Sequence, residues 1–449
     1  MTSAAPSPLK RREIIEALRI GTVPRRGLEL FAVGLERFEK AVDDELEGVS
    51  AGRGHFKAVR GEYGTGKTFF SRWLEHRARA QGFASTLVQI SETDTPLYKL
   101  ETVYRRAVQS LQTSEWSEGA FRSLVDRWFY NLEDEVLGQG KVDPSQPEAV
   151  AKAVGELLEQ RLATVSATQP QFAAALRRCH TARVNGEHAI GEGLIAWLMG
   201  QPNVGAKAKQ AAGLKGEIDD ELAAGFFRGL LEVLRQTGRK GLILVLDEVE
   251  TIQRVRADSR EKSLNALRGL VDEIGSGEFP GLYLLITGTP QFFDGTQGVQ
   301  RSTPLAQRLH TEFGKDPKFD SARAPQIRLQ PFTLERMVQV GQRIRELYPS
   351  EDEERIARAV DDDLLRELAH GVAGKLGGKV GIAPRIYLKR LVDLLDRVDE
   401  HEDFDPRKHY ELVVQANEMT DEERGAAGVA RTVDDIELDV GDTTPRADG

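Results

Sequence analysis

The stretch that decides the fold spans residues 61 to 68 and reads Gly61-Glu62-Tyr63-Gly64-Thr65-Gly66-Lys67-Thr68. It follows a segment with the composition of a β-strand, 55–60, and precedes a segment with a helical pattern, 69–80. Glycines let the backbone turn its N–H groups inward, where a helix N-terminus attracts anions. The stretch matches the whole pattern Gly-x-x-x-x-Gly-Lys-Thr, so it predicts a phosphate-binding loop (a Walker A motif) rather than a chance glycine-rich turn.

The residue types in this loop indicate how a nucleoside triphosphate would be held. Backbone N–H groups of residues 61–66 would face the phosphates, and Lys67 would reach the β- and γ-phosphates. The hydroxyl of Thr68 would be a ligand of Mg²⁺. We therefore expect ATP and Mg²⁺ as cofactors of this site.

A second motif follows the continuous apolar run 242–246, which is typical of a parallel strand buried on both faces. The run ends in Asp247 and Glu248. An Asp at this position can hold Mg²⁺, and the adjacent Glu can activate the attacking water as a general base. The alternative interpretation is the acidic first turn of a helix.

A third buried strand, predicted over 282–287, also ends in polar residues. We expect it between the two motif strands, where a threonine can orient the attacking water or sense the γ-phosphate. Thr287 is the first choice and Thr289 the second, and an ordinary strand-ending turn is the alternative.

Arginines after this strand are candidates for contacts with phosphate. Arg308, on a short predicted helix, would reach the nucleotide of a neighbouring subunit, with Arg301 as the rival, and this role requires a homo-oligomer. Arg385 follows Pro384 at the start of a helix, where proline is favoured, and could contact the nucleotide of its own subunit. The alternative for each is a solvent-exposed arginine.

Periodicity predicts an α/β fold with a parallel sheet, whose strands lie at 55–60, 85–90, 241–246, 282–287 and 326–329. Helices are predicted at 9–20, 28–46, 100–111, 118–137, 147–165, 170–183, 192–199, 333–347, 351–370 and 384–399, a flexible loop at 201–215 and a mobile turn at 371–381.

These elements define four regions. Residues 1–27 form an N-terminal helix and linker, in which Val23 and Pro24 either line the base pocket or form an ordinary turn. Residues 28–330 form the nucleotide-binding core with a helical insertion at about 101–225. Residues 331–405 form a helical lid, and 406–449 a C-terminal helix and an acidic, disordered tail.

Composition bounds the location and the partners of the protein. The chain has 449 residues, a net charge of −10 and a single cysteine, Cys179, which fits a reducing cytoplasm. No apolar run approaches 18 residues, and the first six residues resemble a loose leader rather than a signal peptide. The net negative charge gives no whole-protein footprint for nucleic acid. The charge is uneven, since the segment from residue 419 onward contains nine acidic residues and three arginines.

Taken together, the motifs resemble those of the AAA+ class of P-loop ATPases over about residues 28–400. More narrowly, the chain resembles the BREX-system ATP-binding proteins of bacterial phage defence, and within them the BrxD group. The residues that carry this resemblance are Ile14-Ile15-Glu16-Ala17-Leu18-Arg19 with Gly21, Pro24 and Arg26-Gly27; the loop 61–68; Leu246-Asp247-Glu248; Thr287-Gly288-Thr289-Pro290 with Phe292-Phe293-Asp294; and Ala383-Pro384-Arg385. The resemblance implies an AAA+-like (ASCE-like) fold and a cytoplasmic ATPase encoded among helicase and DNA-modifying partners.

Two functions from different classes remain open. The first is a Mg²⁺-dependent ATPase that acts as an oligomeric motor or switch on DNA, without sequence specificity and together with defence proteins. The second is a regulatory switch or scaffold that hydrolyses ATP slowly and binds protein partners, to which the large helical insertion is suited. A small-molecule kinase fits the Asp247-Glu248 strand and the helix of Arg385 less well.

Overall fold

The protein is an α/β fold built on a parallel sheet, as the alternation of apolar strands and helical segments predicts. The structure, a computed structural model, describes residues 6–140, 142–375 and 384–410. Within these residues five strands form one sheet with the order β2-β3-β4-β1-β5, and every neighbouring pair is parallel. The strands are β1 (His55–Arg60), β2 (Ala84–Gln89), β3 (Leu242–Asp247), β4 (Leu282–Gly288) and β5 (Gln326–Arg328).

The helices connect and flank these strands. They are α1 (Pro8–Arg19), α2 (Glu36–Ser50), α3 (Lys67–Ala80), α4 (Leu100–Gln109), α5 (Ala120–Gly138), α6 (Pro147–Thr168), α7 (Pro170–Val184), α8 (His188–Leu198), α9 (Ala206–Ala211), α10 (Asp220–Gln236), α11 (Ala257–Gly275), α12 (Pro290–Asp294), α13 (Thr303–Leu309), α14 (Leu334–Leu347), α15 (Glu353–Ala359), α16 (Asp362–Lys375), α17 (Pro384–Glu400) and α18 (Pro406–His409). Within the described ranges no helix is both long enough and apolar enough to cross a lipid bilayer.

The chain divides into two compact units. The sheet unit comprises residues 34–61 and 67–329, and the helical unit comprises the described residues of 1–33, of the short segment 62–66 and of 330–449. In the sheet unit every residue of β3 and β4 is buried. Helix α3 packs against β2, β3 and β4, and α2 packs against β1 and β4. The sheet core therefore consists of the apolar runs that the sequence marks as strands.

All five predicted strands are confirmed, and each predicted end lies within one residue of the observed end. The prediction that the strand of Thr287 lies between the two motif strands is also confirmed, since β4 separates β1 from β3. Between β2 and β3 the chain forms a succession of helices, in which α5 packs on α6, α6 on α7 and α7 on α8. The helices expected in this region are present, and their role as an insertion stays a prediction.

Three local predictions between residues 28 and 370 are wrong. The helix expected over 28–46 is a 3₁₀ turn at Leu28–Leu30 followed by α2, because Gly34 adopts a left-handed φ of 80° that no helix interior accommodates. The loop expected over 201–215 contains α9, which buries Ala208. The single helix expected over 351–370 is divided into α15 and α16, because Asp361 accepts the backbone N–H of Leu364 at 2.8 Å and caps the second helix.

The helical unit is built around α1, α14, α16 and α17. Helix α1 packs against α17 and α14, and buries the predicted apolar face Ile14, Ile15 and Leu18. Arg19 forms two hydrogen bonds of 2.7 and 2.8 Å with the carboxylate of Asp396 on α17. The lid role of these helices stays a prediction. The mobile turn predicted at 371–381 is wrong over residues 371–375, which belong to α16. The remainder of that turn and the acidic tail lie outside the described residues.

Candidate functional site

The phosphate loop joins β1 to α3, as the motif requires. Two of its glycines have left-handed backbone conformations, with φ of 76° at Gly64 and 90° at Gly66. Residues other than glycine rarely adopt this region, which explains the fixed Gly66 of the motif and the additional glycine at position 64. Within the loop the hydroxyl of Thr65 donates to the carbonyl oxygen of Glu62 at 2.8 Å. The helix begins at Lys67, so the loop runs directly into a helix N-terminus.

The two predicted metal ligands are already in contact. The hydroxyl of Thr68 donates to Oδ2 of Asp247 at 2.9 Å, although 179 residues separate them in the chain. The other carboxylate oxygen, Oδ1, accepts a hydrogen bond from the hydroxyl of Thr287. Asp247 is only 3% exposed. Its carboxylate is therefore fixed at both oxygens by two threonine hydroxyls.

Strand register explains why these residues meet. Asp247 ends β3, and its partner in the neighbouring strand is Gln89, the last residue of β2. On the other side β4 carries Thr287 next to Ile286, whose partner in β3 is Leu246. Because all strands are parallel, their carboxyl ends lie at one edge of the sheet, the usual location of ligand sites in such folds. Thr287, fully buried, makes these contacts rather than Thr289.

Glu248 sits in an unusual backbone conformation with φ of 60°, which is rare for a residue with a side chain. Its backbone N–H donates to Oγ1 of Thr287 at 3.1 Å, so the single threonine hydroxyl accepts from Glu248 and donates to Asp247. Its carboxylate oxygen Oε2 accepts a hydrogen bond of 2.9 Å from Nε2 of Gln89. Gln89 was not among the predicted site residues, although a polar residue near the carboxyl end of a predicted strand was a usable signal.

Lys67 lies over the start of the loop. Its ammonium group donates to the carbonyl oxygen of Gly61 at 2.9 Å, and its Nζ lies 3.9 Å from Oε1 of Glu250. Glu250, in the 3₁₀ turn Val249–Gln253 after β3, is 5% exposed. Burial is the main cause that raises the pKa of the Glu250 carboxyl to about 7. Nothing in the sequence distinguished this carboxyl from the acidic residues near it.

The predicted arginines have different surroundings. Arg308, on α13, forms an ion pair with Asp272 of α11, and its Nη1 donates to the carbonyl oxygen of Pro304 at 3.0 Å. Arg301 is exposed and has no ion pair with any described residue. Neither observation tests a contact with a second subunit, so the choice between them stays open.

The remaining predicted residues belong to the helical unit. Arg385 is the second residue of α17 and half-buried, and a Cβ added to Gly21 would lie 3.2 Å from its Nη1. Gly21 has φ of 76°, so its backbone conformation favours glycine. Val23 is half-buried and Pro24 is buried. Their contacts with nucleotide stay predictions.

The donor set at Asp247 fits Mg²⁺. This cation prefers oxygen ligands and usually takes one or two protein side chains, with phosphate oxygens and water completing its shell. A threonine hydroxyl and a carboxylate 2.9 Å apart provide these two positions. Among the described residues no cluster of three or more His, Cys, Asp or Glu side chains could hold a metal by itself.

The parallel sheet and the loop after β1 are compatible with the core of a P-loop nucleotide-binding protein. Comparison with protein families is more specific. The family model "BREX system ATP-binding protein BrxC/D" matches residues 7–414, and the chain belongs to this family. No curated protein and no solved structure matches the chain. The family name thus gives ATP as the bound nucleotide and confirms the resemblance drawn from the motifs.

Proposed function

We propose that this chain is a Mg²⁺-dependent ATPase that works with other proteins of a BREX defence system. The phosphate loop 61–68 binds the triphosphate, with Lys67 on the β- and γ-phosphates. Thr68 and Asp247 hold Mg²⁺, which when bound supplies positive charge against the phosphate oxygens. The observation that supports this proposal best is the hydrogen bond of 2.9 Å between Thr68 and Asp247, because it brings together the two side chains that the metal would need.

Hydrolysis requires a group that takes a proton from water. Glu248 fills this role, since it follows Asp247 directly and lies at the edge of the sheet where the γ-phosphate would lie. Thr287 fixes both acidic residues, one through its donated and one through its accepted hydrogen bond. Arg385 from the same chain is proposed as a further phosphate contact, with Val23 and Pro24 beside the base.

A homo-oligomer would complete the site with an arginine from a neighbouring subunit. Arg308 is the first choice because of its position on the short helix after β4. To reach a neighbouring subunit, its side chain must leave the ion pair with Asp272. Arg301 is exposed and needs no such release. DNA, bound without sequence specificity, and other proteins of the defence system are the proposed partners.

A slow nucleotide-dependent switch is the second candidate function. The hydrogen bond from Gln89 to Glu248 favours it, because this bond occupies one oxygen of the proposed base. The helices between β2 and β3 would then bind protein partners. In this case turnover stays low until a partner displaces Gln89.

Steady-state release of phosphate from ATP tests both functions. We expect Mg²⁺-dependent turnover by the wild-type chain, loss of turnover with a chelator, and stimulation by DNA if the protein is a motor. Glu248→Gln is the matched control, since it keeps the size of the side chain and removes the base. Turnover that persists unchanged in this variant would refute the assignment, and low turnover that DNA does not stimulate would favour the switch.

A further inference from the structure

Glu250 is a buried carboxyl group that the proposed mechanism does not use. It is 5% exposed, and neither of its carboxylate oxygens accepts a hydrogen bond from the described part of the chain. Removing a charged carboxylate from water without such bonds is costly, so a group of this kind needs a nearby cation or must become neutral. The cation is Lys67, whose Nζ lies 3.9 Å from Oε1.

Glu250 and bound phosphate would thus compete for Lys67. In the structure its ammonium group lies between the carbonyl oxygen of Gly61 and the carboxyl of Glu250. In the proposed function the same ammonium group contacts the β- and γ-phosphates of ATP. Phosphate would draw the ammonium charge away from Glu250 and bring negative charge of its own toward it.

We propose that Glu250 is a positioning residue that holds the Lys67 ammonium group in the absence of nucleotide and takes up a proton when phosphate replaces it as the partner of Lys67. The inference rests on the proposed ATP-binding role of the loop. It makes ATP affinity depend on pH through one side chain that touches Lys67 and is not itself a ligand of the nucleotide.

The charges around Glu250 determine the direction of this dependence. Burial is the main cause that raises the pKa of Glu250 to about 7. The positive charge of Lys67 on α3 lowers this pKa. The negative charges of Asp247, at the end of β3, and of Glu248, directly after it, raise it further. Bound phosphate weakens the lowering influence of Lys67 and adds negative charge, so the pKa of Glu250 rises further in the complex. ATP therefore binds most tightly below about pH 7, and its affinity falls as the pH rises above the pKa of the free protein.

Titration calorimetry with the full chain, Mg²⁺ and a non-hydrolysable ATP analogue tests this inference between pH 6.5 and 8.5. We expect the wild-type affinity to fall about tenfold or more over this interval. Glu250→Gln removes the titrating group, so its affinity should be nearly constant and, at pH 8.5, should approach the wild-type value at pH 6.5.

Glu75→Gln is the matched control. Glu75 lies on α3 like Lys67, is also 5% exposed and also has a carboxyl pKa raised by burial, but its ion-pair partner is Arg79 at 3.7 Å. We expect this variant to keep the wild-type dependence on pH. A slope that is lost equally in both variants would overturn the inference, because general disturbance of the α3 region would then explain it.

A second measurement avoids substitutions. Calorimetry at pH 7.5 in two buffers of different ionisation enthalpy counts the protons that are taken up on binding. We expect the wild-type chain to take up a fraction of a proton when it binds the analogue, and the Glu250→Gln variant to take up none. Binding without proton uptake in the wild-type chain, or the same slope in wild type and Glu250→Gln, overturns the inference alone. Absence of ATP binding at every pH overturns the proposed function and this inference with it.

Discussion

Thr287→Val tests the hydroxyl of Thr287, because valine lacks this group but nearly matches threonine in volume. The substitution removes one hydrogen bond to the carboxylate of Asp247 and leaves the backbone N–H of Glu248 without its acceptor. A hydrogen bond to a charged group contributes about 1.5–3 kcal/mol, and a buried N–H without a partner costs about 1–3 kcal/mol. Since Glu248 is half-buried and water can replace part of the loss, we expect the free energy of unfolding to fall by about 2–4 kcal/mol.

The same change should lower ATP turnover. Removing a group that orients a metal-binding carboxylate typically costs about 10–100-fold in activity or metal affinity, and we expect an effect of this size, with a higher Mg²⁺ requirement. Urea denaturation measures stability, and phosphate release over a range of Mg²⁺ concentrations measures activity.

Two further variants make this test specific. Thr287→Ser keeps the hydroxyl and should restore most of the activity. Thr289→Val alters a threonine that directly follows β4 and is 5% exposed, but makes none of the contacts with Asp247 and Glu248. Equal losses in Thr287→Val and Thr289→Val, or full activity of Thr287→Val, would refute the role given to the Thr287 hydroxyl.

The other predictions concern the loop, the base and the subunit interface. Lys67→Ala should abolish ATP binding in calorimetry while thermal unfolding stays close to wild type; undiminished affinity would contradict the loop assignment. Glu248→Gln should keep ATP binding and slow phosphate release about 10²–10⁴-fold, whereas Asp247→Asn should mainly weaken Mg²⁺ dependence, and wild-type rates in both would leave the acidic pair without a catalytic role. Arg308→Ala should lose an arginine contribution of about 10³–10⁵ in rate, and mixing it with Lys67→Ala should restore some activity by pairing an intact loop with an intact arginine. If mass measurements show mixed oligomers that stay inactive, Arg301 becomes the remaining candidate.

The strands and the position of Thr287 between the two motif strands could be predicted because they follow from local rules. Apolar runs specify buried parallel strands, and polar residues at their ends must share one edge of the sheet. The hydrogen bond of Gln89 with Glu248 and the ion pair of Glu250 with Lys67 could not be predicted in the same way. Each depends on which of several nearby polar groups turns toward a partner, and this choice is made by packing across distant parts of the chain.

The errors in the helices have a related cause. Apolar spacing from residue 28 to 46 fits a helix, but one left-handed glycine, Gly34, ends that possibility. Between residues 351 and 370 the spacing is also helical, yet Asp361 caps a new helix because its side chain reaches a backbone N–H. In both places one local backbone feature determined where a helix begins or ends, although the apolar spacing of many residues predicted a continuous helix.

The order of strands also bears on how the chain folds. The neighbours of β1 are β4 and β5, whose paired residues begin at Tyr283 and Gln326, far downstream of His55. β3 and β4, by contrast, are close in sequence and can pair early, because the entropy of loop closure grows with the length of the loop. The strand that carries the phosphate loop therefore gains its hydrogen-bonded neighbours late, and hydrogen exchange during refolding would detect this as late protection of β1. Synthesis of the ribosome-bound chain must pass residue 280 before the phosphate loop can be anchored in the sheet.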